Sequence, residues 1–153
     1  MTKPLNEVWG AANPIVVRAS AALSGGGVWD AAPTEFSVAG IGAITFYITY
    51  TRAGAGGAFD LQLRSSPYSA DVVGVQSWFA MSLYTSGVLA AGVDTQSRIQ
   101  AEYITYQATA AGAEVFVYGP VELMGTVERL RVRCRESGAV ATPGTVHIVA
   151  VAA

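Results

Sequence analysis

The densest group of chemically capable side chains in this 153-residue chain is an alternating run of arginines, Arg129, Arg131, Arg133 and Arg135. A spacing of two on a strand sends all four guanidinium groups to one face, a stripe about 20 Å long at ~3.3 Å per residue. Like charges in such a row repel unless something answers them. One answer is a solvated outer face, balanced by Glu128, Glu136 and carboxylates on a neighbouring strand. The other is a partner-binding surface on which the guanidiniums take acidic groups of another subunit in bidentate fashion. Nucleic acid is disfavoured as the partner. The formal net charge is −2, and the nine basic residues are eight arginines and a single lysine, Lys3.

Catalytic chemistry finds little else to work with. His147 is the only histidine and sits between Val146 and Ile148, where an outward-facing or interface role competes with that of a general base. Cys134 is the only cysteine, so no intramolecular disulfide forms. Alternation places it on one strand face with Leu130 and Val132, as a small buried hydrophobe. No His, Cys, Asp or Glu stand at metal-ligand spacing, and no glycine-rich phosphate loop precedes a helix, so no metal or cofactor is expected. Glycosidases of jelly-roll fold place two carboxylates about 5–9 Å apart. Asp60, Glu102 and Glu114 lie in strands, but Asp60 alternates with Gln62 and Arg64 like a solvated face. Tyr47, Tyr50, Trp78, Phe79, Tyr84, Tyr103 and Tyr106 are a possible sugar platform, or core and cross-strand packing.

The elements that must position these residues are strands throughout. Residues 1–13 form an expected extended arm, with Pro4 and Gly10 and no periodicity, and 14–153 a single β domain. Trp9, in that arm, either folds back on its own domain or anchors in a neighbouring subunit. The clearest strand is AITFYITYTR at 43–52. Ile44, Phe46, Ile48 and Tyr50 share its inner face, and AGAGG at 53–57 leads into AFDLQLRSS as a hairpin partner. SWFAMSLYT at 77–85 is expected as a strand. SRIQAEYITYQ at 97–107 is expected as one long strand paired with 113–118. TVERLRVRCRES and GTVHIVAVAA complete the set. Tyr47-Ile48-Thr49-Tyr50 recurs as Tyr103-Ile104-Thr105-Tyr106, and Ala55-Gly56 as Ala111-Gly112 at the same offset, which suggests two similarly built hairpins in opposing sheets. The count is eight to ten antiparallel strands, the pattern of an all-β, jelly-roll-like β-sandwich, with an immunoglobulin-type sandwich as the rival.

Composition adds a bias towards assembly. The chain is 52% hydrophobic and 13% charged, against about 25% charged in an average soluble domain. Low surface charge promotes association, and interfaces favour Arg over Lys. No apolar run reaches the ~18 residues of a spanning helix, and MTKPLNEVWGAANP lacks the charged-then-apolar order of a signal peptide. Membrane partners are therefore not expected.

The stretch FYITYTRAGAGGAFDLQLRSS, the Trp78 region, the second YITY segment and the ending VHIVAVAA resemble small structural proteins of tailed-phage virions. That resemblance implies a jelly-roll protein of the phage particle, such as a capsid decoration (cement) protein, often trimeric. It would be assembled in the host cytoplasm, with itself and the major capsid protein as partners and no catalytic residues. The alternative is a carbohydrate- or receptor-binding β-sandwich of a tail or fibre. A glycan-active enzyme stands third.

Overall fold

The computed structural model describes residues 14–53, 57–86, 98–108, 112–123, 127–137 and 142–152. Eleven strands run through them: β1 (Ile15–Ala22), β2 (Thr34–Ser37), β3 (Ala43–Arg52), β4 (Ala58–Ser66), β5 (Phe79–Ala80), β6 (Leu83–Ser86), β7 (Arg98–Ala101), β8 (Ile104–Tyr106), β9 (Gly112–Glu122), β10 (Arg129–Ser137) and β11 (Thr145–Ala152). Among the described residues no helix is long and apolar enough to cross a membrane. The expected arm at 1–13, with Trp9, lies outside the described residues.

One sheet has the order β1-β11-β3-β9. The other runs β2-β10-β4-β5, with β8 also pairing β4. Every pairing is antiparallel. Four of them are nested along the chain: β1 with β11, β2 with β10, β3 with β9, and β4 with β8. A long antiparallel ribbon folded over on itself in this way is the jelly-roll winding. The fold class expected from the strand pattern is therefore the observed one, with nine strands in the two sheets. β5 and a separate β6–β7 ribbon are inserted between β4 and β8.

Two expected hairpins are corrected. β3 and β4 do not pair; they lie in opposite sheets, and so do β8 and β9. The expected long strand at 97–107 is broken at Glu102–Tyr103 into β7 and β8. Alternation tells which side chains face the core, and both sheets of a sandwich face the same core. A five-residue link of small residues serves as well for a crossover between sheets ~10 Å apart as for a turn within one.

The repeated YITY segments lead into these two crossovers, one in each direction. Tyr50 stacks on Phe59 across the first, with centroids 5.6 Å apart, and Tyr106 stacks on Phe116 across the second at 4.0 Å. Phe59 and Phe116 then meet edge to face at 5.9 Å. The sequence echo thus corresponds to two matching corners that share one aromatic cluster.

The core lies between the sheets. Ile44, Phe46, Ile48, Tyr50, Val146, Ile148 and Ala150 supply one wall, and Phe59, Leu61, Leu63, Leu130, Val132 and Cys134 the other, all buried. Cys134 is a core residue as its alternation indicated, and burial pushes its thiol pKa well up. Glu136 also points inward. Its carboxylate accepts the Tyr50 hydroxyl at 2.7 Å and the Gly144 N–H at 2.6 Å. Gly144 is required there by contact: an added Cβ would lie 2.5 Å from the Thr51 carbonyl oxygen.

Candidate functional site

β10 runs between β2 and β4, and its odd-numbered residues face away from the core. Arg129, Arg131, Arg133 and Arg135 accordingly share one outer face, as their spacing required. What the spacing did not reveal is that two indoles cover them. Trp78 lies over Arg129 and Arg131, with guanidinium carbons 4.7 and 4.1 Å from the ring centroid. Trp29 lies over Arg133 and Arg135 at 5.4 and 4.3 Å, and Tyr103 over Arg135 at 4.8 Å. Cation–π contacts of this kind contribute about 0.5–2 kcal/mol each.

Both lids are held in place. The Trp78 indole N–H donates to Asp71 at 3.2 Å, and Asp71 also accepts Arg129 at 2.7 Å. That hydrogen bond holds the Asp71 carboxyl below its ordinary range. Trp29 meets Tyr103 edge to face at 5.9 Å, and its neighbour Asp30 donates its backbone N–H to the Cys134 carbonyl at 2.9 Å.

The carboxylates that answer the stripe come from adjacent strands and one loop. Arg131 pairs with Glu35 on β2, and Arg129 reaches the same carboxylate at 3.5 Å. Arg135 binds Asp60 on β4 at 2.7 Å, while Thr105 donates to the other Asp60 oxygen at 2.8 Å. Among the described residues Arg133 hydrogen-bonds the amide oxygen of Gln62, at 3.2 Å, and no carboxylate. Two expectations change. Glu136 does not balance the stripe, because it lies on the opposite face of β10, in the core. Asp60 and Gln62 are not solvated: they face outward but are buried beneath the arginines that cross them.

The second face of interest is the outer surface of the β1-β11-β3-β9 sheet. Register places Val16, Val149, Tyr47 and Val117 side by side, one from each of the four strands. Val16 is 54% exposed, Tyr47 45% and Val117 55%, and Val115, two residues along β9, is 70% exposed. The two central strands bring no carboxylate, lysine or arginine to this side. β3 presents Ala43, Thr45, Tyr47, Thr49 and Thr51, and β11 presents Thr145, His147, Val149 and Val151. His147 is thus outward and half-buried, opposite Thr49.

The remaining candidates disperse. Asp60 bonds Thr105 whereas Glu114 bonds Tyr106 at 2.6 Å. Consecutive strand residues project to opposite faces, so these two carboxylates do not converge. The bond to Glu114 raises the Tyr106 pKa. Glu102 is exposed. Among the described residues, exposed Tyr47 belongs to one sheet, while exposed Phe79 and Tyr103 adjoin the other. Among the described residues no group of three or more His, Cys, Asp or Glu is placed to hold a metal. No protein-family model, curated protein or solved structure matches the chain.

Sequence reasoning passed over Trp29, Glu35, Asp71 and Arg64 as members of the arginine face. Glu35 and Arg64 carried a usable signal, since each is an outward charge on a strand. Trp29 and Asp71 lie in loops, where no periodicity indicates a direction.

Proposed function

We propose that this chain is a non-enzymatic structural protein of a tailed-phage particle, of the capsid decoration kind, which self-associates and bridges neighbouring capsid subunits. The observation that carries the assembly role is the uncharged, apolar row Val16–Val149–Tyr47–Val117 spanning the outer face of one sheet. With strands ~4.8 Å apart and successive outward side chains ~7 Å apart, the row and its flanking valines cover a few hundred Å². A patch of that size is comparable with the largest on a typical monomer, which is often functional, and interface cores are depleted of charge. A second copy of the chain is the occupant favoured by this chemistry, because the row and the two central strands are uncharged on this side and the face can complement itself. The phage assignment is supported by the sequence resemblance, the low charge and the jelly-roll winding, a fold that viral capsid domains share with lectins. The fold alone assigns no function.

Light scattering on the full chain at several concentrations tests the association. The expected result is a closed oligomer that Val117→Lys and Tyr47→Lys each convert towards the 15.9 kDa monomer, followed by loss of binding to capsid shells. A wild-type protein that stays monomeric throughout, or variants that leave the oligomer intact, would refute the use of this face.

A further inference from the structure

The outer face of the second sheet carries more positive charge than its own carboxylates answer. Arg64 on β4 stands directly opposite Arg131 on β10, and Arg133 is one outward position further along, opposite Gln62. Directly opposed residues have Cβ atoms ~5 Å apart, and like charges there repel. Arg129, Arg131 and Arg135 have Asp71, Glu35 and Asp60. Among the described residues the Arg64 side chain makes no hydrogen bond or ion pair, its Nε being buried without a partner, and the Arg133 side chain hydrogen-bonds only a neutral amide. Among the described residues of this face five guanidiniums stand against three carboxylates, the neighbouring Asp30 being paired with Arg18, and the excess of two falls at one place. Burial and the charges of Arg64 and Arg131 push the Arg133 pKa down, against an opposing pull from the Asp30 carboxylate, which is itself paired with Arg18.

The lids frame this spot. Trp78 covers Arg129 and Arg131, and Trp29 covers Arg133 and Arg135. The boundary between the two indoles therefore falls between Arg131 and Arg133, beside Arg64. We infer that Arg64, Arg133 and the edge of Arg131 form a binding site for a tetrahedral dianion, a phosphate or sulfate group, seated between the two tryptophans. Guanidinium forks match such oxygens in bidentate fashion, and a dianion cancels the excess of two. This inference is independent of the apolar face on the other sheet.

The test is calorimetric titration of the full chain with inorganic phosphate and inorganic sulfate at constant ionic strength set by chloride, and with phenyl phosphate in parallel. Saturable binding is expected, weakened at least tenfold by Arg64→Gln. Because the Arg64 side chain has no hydrogen-bond or ion-pair partner among the described residues, that variant should fold and, without anion, melt no lower than the wild type. Equal affinity for inorganic phosphate and phenyl phosphate identifies a site for the free anion. Tighter binding of phenyl phosphate identifies a site for an organic ester. Absence of saturable binding to all three, or equal binding by Arg64→Gln, overturns the proposal.

Discussion

Replacing Asp60 by alanine tests whether the arginine face is held together internally. The Asp60 side chain is 2% exposed, and its two oxygens take Arg135 at 2.7 Å and Thr105 at 2.8 Å. Removing one member of a buried pair costs about 3–5 kcal/mol, because the other charge is left without its partner. Arg135 is 22% exposed and stacked on Trp29 and Tyr103, so water and the rings retain part of its solvation. The lower end, about 3 kcal/mol, is therefore expected. With a urea slope of about 2 kcal/mol per molar, the unfolding midpoint should fall by about 1.5 M. Substituting Arg135→Met as well removes the orphaned cation and should restore most of that loss, since an apolar pair of similar volume often matches a buried ion pair. The assay is urea unfolding followed by tryptophan fluorescence and circular dichroism. A fall of less than about 0.3 M, or no recovery in the double variant, would show that Asp60 and Arg135 are solvated independently, and the packed picture of this face would be wrong.

The junction at Glu136 supplies two further tests. Tyr50→Phe removes one of the two donors to a buried carboxylate and should cost about 1.5–3 kcal/mol at pH 8 by urea unfolding. Burial, then the Glu136 hydrogen bond, raise the Tyr50 pKa above its ordinary 10.0. The folded phenol stays protonated where the unfolded one ionises, so its contribution is complete below about pH 10 and is lost as the pH rises beyond it. The gap between wild type and Tyr50→Phe should accordingly narrow between pH 9 and 11; a constant gap would contradict the raised pKa. Gly144→Ala drives a methyl into the Thr51 carbonyl, with Tyr50 Cε2 at 3.0 Å behind it. Overpacking against backbone costs about 1–3 kcal/mol, and a melting temperature equal to wild type would show that the loop shifts freely.

The strand pattern by itself determined the class of fold, the residues that face the core, and the common face of the four arginines. Each is a consequence of the two-residue period, which is local to one strand. Ile44, Phe46, Ile48 and Tyr50, and Cys134 with Leu130 and Val132, are buried as their alternation indicated. Tertiary structure alone decided which strands lie together, because short links of Gly and Ala connect within a sheet or between sheets with similar ease. β3 and β4 therefore separated where a hairpin was expected. It also decided what stands above an outward side chain. Arg133 and Arg135 meet Trp29 from a loop about a hundred residues earlier in the chain, and buried Asp60 is crossed by Arg135 from β10. Alternation distinguishes two sides of a strand, but whether the outer side meets water, an indole or another chain depends on segments distant in sequence. For the same reason the charge excess at Arg64 and Arg133 became visible only when β4 and β10 were placed in register.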